Sequence, residues 1–189
     1  MDLYGKAPSS QPNFHFIELK KSKEHVMRAF LIAVMALFAT QVAVAGHHEK
    51  SMSAQNIENA ATFMAAVLPE PDKAKSLVHD DFEFIFMGRT QISNISYDRE
   101  TYFNVWLKQI VANLVPDGFR KLEVIDAIGD ENGVALMMEG EADGINGLYD
   151  NKYVFIFKFK DGKIATLHEY NSDLLVATRL YKQKLVADD

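Results

Sequence analysis

The chain has 189 residues, 48% of them hydrophobic, which suits one domain whose core needs no covalent staples. It has no cysteine, so disulfides, thiolate metal sites, cysteine nucleophiles and a lipoprotein anchor are excluded. The formal charge of −6 disfavours phosphate backbones, and no Lys/Arg cluster outside the first 28 residues argues for nucleic acid.

Residues 1–26 read as a polar N-terminal extension without periodicity. Lys20, Lys21, Lys23 and Arg28 then precede an apolar run from Ala29 to Ala45, which ends in Ala43-Val44-Ala45. That pattern predicts a signal peptide over 27–45, with cleavage before Gly46, a periplasmic or secreted product and no stable membrane association after cleavage. Met27-Arg28 is the more ordinary start, which makes Met27 an alternative initiator to Met1. Residues 1–45 hold five bases and three acids, so their removal leaves 15 bases, 23 acids and a charge near −8. Residues 46–53 read as a flexible mature terminus. Its first residues, Gly46, His47 and His48, offer an α-amine, backbone amides and imidazoles in the square-planar nitrogen set that suits Cu(II) or Ni(II).

From Ser53, a plausible N-cap, Ile57, Ala60, Ala61, Met64, Val67 and Leu68 recur at helical spacing, and Pro69 stops the run. Pro71 opens a short second helix. Phe82 to Met87 reads as a strand, with a polar loop after it that carries Arg89. Ser96 is expected to cap a third helix whose stripe is Phe103, Trp106, Leu107, Ile110, Val111 and Leu114. Strands follow over 119–128 and 134–143. Glu139, Glu141 and Asp143 share one face of the second strand, and Gly140 and Ala142 share the other. A terminal helix is expected from Asp173.

The last pair of strands is the strongest local signal. Asp161-Gly162 between two apolar-rich runs predicts a type I′ turn, because both central residues must take positive φ. A regular ladder then pairs Phe159 with Ile164, Phe157 with Thr166, Phe155 with His168 and Tyr153 with Tyr170. It gathers Tyr153, Phe155, Phe157, His168 and Tyr170 on one aromatic face. Val154, Ile156, Ala165 and Leu167 fall on the other, an apolar strip with Lys158 and Glu169 at its margin, which predicts a homodimer. Helices followed by a run of strands make an α+β fold, with helices packed on an antiparallel sheet.

The helix pair, Asp80-Asp81-Phe82-Glu83-Phe84, Tyr102…Trp106 and the ending Phe157-Lys158-Phe159-Lys160-Asp161-Gly162-Lys163-Ile164…Glu169-Tyr170 together resemble the SnoaL-like branch of the nuclear transport factor 2-like superfamily, which includes ketosteroid isomerases and polyketide cyclases. The resemblance implies a SnoaL-like domain over 54–185, a cone-shaped curved sheet closed by the N-terminal helices around a small-molecule pocket. Enzymes of that kind often carry a carboxylate at the position of Ser172; here Asp173 stands one residue later.

The candidate site is accordingly His168 as base, Tyr170 as hydrogen-bond donor and Asp173 if the last strand bulges there, with Tyr153, Phe155, Phe157, Trp106 and Phe84 as ligand-binding walls. Competing structural readings are a satisfied core histidine, a helix cap at Asp173 and simple core packing for Trp106. The expected function is isomerase, cyclase or hydratase-like acid/base chemistry on a small apolar carbonyl or polycyclic compound, with no cofactor. The alternative is a non-catalytic periplasmic ligand-binding or dimerisation module.

Overall fold

The computed structural model describes residues 50–187. The expected signal peptide, its cleavage site and the Gly46-His47-His48 metal site lie outside the described residues. Helix α1 (Met52–Ala66) starts at Ser51, whose hydroxyl accepts from Ala54 N; the expected cap, Ser53, instead donates to the Gly129 carbonyl. Helix α2 (Pro71–Leu77) begins on its proline, where the missing N–H costs nothing. Strand β1 (Val78–Met87) and a three-residue strand β2 (Ser96–Asp98) follow. Asp98, not Ser96, caps the third helix, accepting from both Thr101 N and Thr101 Oγ1.

That helix, α3, covers residues 99–114. Its central part, Tyr102–Val111, is π-helical, and Ala112 N donates back to the Leu107 carbonyl five residues earlier. The Gln109 amide donates to the Asn104 carbonyl, a contact that suits the widened turns. Strands β3 (Phe119–Gly129), β4 (Gly133–Gly144), β5 (Gly147–Lys160) and β6 (Lys163–Tyr170) complete the sheet. Residues 173–180 form α4, π-helical over Val176–Leu180. The tip between β4 and β5 clasps it: Asn146 N donates to the Arg179 carbonyl and the Asn146 amide to the Thr178 carbonyl.

The sheet order is β2-β1-β6-β5-β4-β3, with β1 parallel to β6 and every other pair antiparallel. One inner row runs Val134, Phe157, Leu167, Phe84, Tyr97 across five strands, and all five are buried. Above it α1 and α3 contribute Phe63, Phe103 and Trp106, each at most 4% exposed. The α+β expectation holds, with a mixed rather than wholly antiparallel sheet.

The turn forms as expected. Asp161 and Gly162 have φ of 52° and 73°, and Phe159 pairs with Ile164. The ladder beyond it does not. A bulge at Ala165 makes Lys158, not Phe159 or Phe157, the partner of Thr166. From there Phe157 faces Leu167, Ile156 faces His168, Phe155 faces Glu169 and Val154 faces Tyr170. The physical reason is burial. Ile164 and Leu167, three residues apart, are both 0% exposed, and a period of two cannot put both on one face without an extra residue between them.

Candidate functional site

The bulge decides which side chains the last strand offers to the interior. Past Ala165 the inner positions are Leu167 and Glu169, while His168 and Tyr170 point to the outer face. His168 lies between Ile156 and Ile85 there, and Tyr170 is 43% exposed. The expectation that His168 and Tyr170 share the aromatic face is therefore corrected, and the placement on which their roles rested is gone.

Inside, the sheet and helices leave a cavity of about 90 Å³. The sheet supplies Phe86, Phe119, Leu122, Tyr149, Tyr153, Phe155 and Glu169. Facing them are Met64, Val67 and Leu68, then Tyr102, Trp106, Leu107 and Ile110 of α3, and Val176 and Leu180 of α4. Leu68, 41% exposed, is the most accessible of the lining residues and marks the mouth. The helix stripe read from the sequence is correct, but its Leu107, Ile110, Val111 and Leu114 stay half-buried, because they border this space instead of packing shut.

Of the expected walls, Tyr153, Phe155 and Trp106 line the cavity; Phe157 and Phe84 lie behind it, at 0% exposure. Phe84 backs the wall directly, its ring centroid 4.8 Å from both Tyr102 and Trp106. Asp173 is elsewhere. It opens α4, with Ser172 as the cap through Leu175 N, and its Oδ2 accepts from Arg89 N at 2.8 Å. A Cβ on Gly88 would collide with Asp173 Oδ1, so Asp173 and Gly88 are matched parts of a latch between the β1–β2 loop and α4. The expected bulge at Asp173 is absent; the strand bulges at Ala165. Arg89 is on that exposed loop, outside the cavity lining. Glu139 and Glu141 lie outside and pair with Lys121, Lys152 and Arg120, whereas Gly140 faces inward, where a Cβ would press the Tyr153 ring.

The polar content of the cavity is small and one-sided. Among the described residues, Glu169 is the one carboxyl that lines it, and no Lys, Arg or His does. Glu169 occupies the inner row Leu136, Phe155, Glu169, Phe86, a position otherwise held by apolar side chains. Burial there pushes its carboxyl up to about 8, opposed by the Asn171 amide, which donates to Oε1 at 3.0 Å. Three phenols stand around it. Burial raises Tyr149 to about 12, although its oxygen accepts from the buried Asn151 amide at 2.9 Å. Tyr102 is raised well above the usual phenol range by burial and then by the nearby Glu169 charge. Tyr153 is driven above that range mainly by burial. Its hydroxyl lies near that of Tyr149 but meets no partner in hydrogen-bonding geometry. The site thus offers a half-buried acid whose pKa is pushed up to about 8, and a phenol free to donate.

No family model and no curated protein matches this sequence. Solved structures do. An NTF2-like protein from Burkholderia xenovorans LB400 aligns with TM-score 0.53 and 15% identity, covering 68% of this chain and 97% of that one. The chain has an NTF2-like fold. Among other NTF2-like neighbours, a SnoaL-like, polyketide-cyclase-type protein from Jannaschia sp. CCS1 aligns with TM-score 0.58 and 15% identity over 74% of this chain and 100% of that one. TerC, crystallised with polyporic acid, gives 0.58 and 17% over 67% and 98%. The NTF2-like cone accounts for the curved mixed sheet, the helices across its mouth and the cavity between them.

What sequence reasoning missed was Glu169. The regular ladder places it on the outer face, at the margin of the apolar strip, rather than in the pocket. The signal that finds it is the odd spacing of Ile164 and Leu167, which turns the strand over at Ala165, four residues before the site.

Proposed function

We propose that this protein binds a small neutral carbonyl compound in the cavity and that Glu169 moves a proton at the carbon next to the carbonyl. The observation that carries this reading is a protonatable carboxyl beside three phenols in a cavity that no cationic side chain lines among the described residues. In the step envisaged, the Glu169 carboxylate takes an α-proton. The C–H electron pair moves into the new C=C bond, and the carbonyl oxygen takes up negative charge against the Tyr153 O–H. Return of the proton to the same or a different carbon completes an exchange or an isomerisation. A carboxyl titrating near 8 has both forms populated at working pH, the condition for efficient acid/base transfer. Anionic ligands are disfavoured, since no cation lines the site to meet them. A cavity of about 90 Å³ encloses only part of a ring-sized ligand, and the rest would project past Leu68. In support, TerC, a structure of similar fold, was crystallised with a small organic compound, polyporic acid. Export belongs to the same reading and rests on the run from Ala29 to Ala45.

The test is α-proton exchange of cyclohexanone in D2O, followed by proton NMR. The wild type should accelerate it, and Glu169→Gln should lose about 10²-fold or more of that acceleration. Equal rates in the two proteins would remove Glu169 from the chemistry and leave a binding module.

A second reading concerns assembly. The outer sheet face carries Ile85, Ile156, Val154, Met137 and Met87 around His168 and Tyr170. The apolar strip expected there persists with altered membership. Val154 and Ile156 stay, Leu167 and Glu169 turn inward, and Ala165 sits in the bulge. We read this face as the contact between two copies of the chain. Ile156→Glu should halve the mass seen by light scattering, and a wild type already monomeric at high concentration would end this reading.

A further inference from the structure

A group that gives and takes a proton inside a dry pocket has to be satisfied in both states. A carboxylate needs donors, a carboxylic acid needs an acceptor for its O–H, and an unmet buried partner is costly. Among the described residues, the one side chain that hydrogen-bonds the Glu169 carboxyl is Asn171, through Nδ2 at 3.0 Å. Asn171 follows Glu169 by two residues, so both project from the same face of the chain as it leaves β6.

The other end of that amide is unexplained by the fold. Asn171 Oδ1 is buried and has no hydrogen-bond partner. The neighbouring asparagine shows what a purely structural amide does here: Asn151 uses Oδ1 to accept from Lys152 N and Ser172 N, and Nδ2 to donate to the Tyr149 hydroxyl. Asn171 spends one end on Glu169 and leaves the other idle beside it.

We propose that Asn171 is the positioning residue of Glu169, serving both of its proton states. In the carboxylate state Nδ2 donates to Oε1, as observed. In the acid state the amide turns half a revolution about its last side-chain bond, and Oδ1 accepts from the Glu169 O–H. An asparagine is suited to this, because its two ends have almost the same shape and opposite hydrogen-bonding sense. A leucine of similar size serves neither state, and an aspartate would serve only the acid while adding a like charge. The inference rests on the reading of Glu169 as the acid/base group of the cavity.

Other groups facing Glu169 do not replace this function. From α3 comes the Tyr102 phenol and from β5 the phenols of Tyr149 and Tyr153. The lining residues of α1, α4 and β1 (Met64, Val67, Val176, Leu180 and Phe86 among them) bring no charge or titratable group. Phenols donate readily to a carboxylate, but among the described residues none of these three hydroxyls hydrogen-bonds Glu169: Tyr149 accepts from Asn151, and Tyr153 meets no partner.

The experiment uses the full-length protein with 13C-labelled glutamate carboxyls and 15N-labelled asparagine side chains, and follows both through a pH titration. In the wild type, the Asn171 side-chain amide signals should shift with the same midpoint as the Glu169 carboxyl. Asn171→Leu should raise the Glu169 midpoint by about one pH unit or more, because the carboxylate loses its donor. It should also lower kcat for cyclohexanone exchange about tenfold with little change in KM. Asn171→Ser, whose hydroxyl can donate or accept, should recover part of both effects and guards against an Asn171→Leu protein that folds poorly. If Glu169 titrates high in the wild type but the Asn171 amide stays silent, or both variants leave the midpoint in place, the positioning role is overturned and the acid/base reading stands. If wild-type Glu169 titrates with the ordinary glutamates, the acid/base reading itself falls and takes the positioning role with it.

Discussion

The melting temperature of the wild type is expected to fall as pH rises from about 5 to about 9, while that of Glu169→Gln stays level. The sign follows from the direction of the shift. Folding raises the Glu169 pKa from about 4.5 to about 8, so within that window the folded chain keeps a proton that the unfolded chain has released. Stability must then decrease with increasing pH, and the loss is complete above the folded value. Its full size is on the order of 4 kcal/mol, enough to move the melting point by roughly 10 °C in a domain of this length. Glutamine keeps the shape and stays neutral, so the slope disappears. The other shifted carboxylates do not blur the result. Asp81, held down by Lys160, Asp98, held down by the Thr101 hydroxyl, Asp130, held down by the Asn132 backbone N–H, and Glu139, held down by Lys121, all contribute stability that is lost in acid, below the window. Differential scanning calorimetry of the two proteins across that range is the measurement. Parallel curves would mean that Glu169 titrates as an ordinary surface acid.

Phe84→Ala is expected to cost about 4 kcal/mol of unfolding free energy, measured by chemical denaturation, the usual range for emptying a phenylalanine site in a core. Phe84 is 0% exposed, on the interior strand β1 between β2 and β6. Its ring centroid is 4.8 Å from those of Tyr102 and Trp106 and 6.1 Å from that of Tyr97. Those first two rings are also cavity wall, so the vacancy opens behind the site. The variant should therefore lose ligand definition along with stability. A cost below about 1 kcal/mol would show that α3 collapses into the space, and that the wall is far more adaptable than its packing suggests.

The contrast between these two residues measures what the sequence made legible. Phe84 belongs to an alternating aromatic run, and its burial follows from period two alone. The same rule finds Val154 and Ile156 outside and Tyr153, Phe155 and Phe157 inside. The turn at Asp161-Gly162 was equally plain, since its chemistry is local. Glu169 was hidden because its orientation depends on the residue count between the turn and the strand's end. That count was changed by a bulge whose cause, the joint burial of Ile164 and Leu167 against opposite partners, is a long-range fact. Strand β2 escaped for a similar reason: Ser96-Tyr97-Asp98 becomes a strand only against Glu83–Ile85. The stripe of α3 named the right side chains, but whether apolar side chains close on one another or border a space is decided by their fit, which periodicity does not encode.

The bulge at Ala165 also bears on how such a protein changes over evolutionary time. The tail of β6 carries an acid on one face and an imidazole and a phenol on the other, and the single extra residue upstream selects which set looks inward. A lineage in which Ala165 came to pair with Lys158 instead of bulging would turn His168 inward in place of Glu169 and exchange carboxylic-acid chemistry for imidazole chemistry, whereas deleting Ala165 outright would keep the present pairing and leave Glu169 inside. Within this fold, the pairing register of a strand is therefore as heritable a determinant of reactivity as the identity of its side chains.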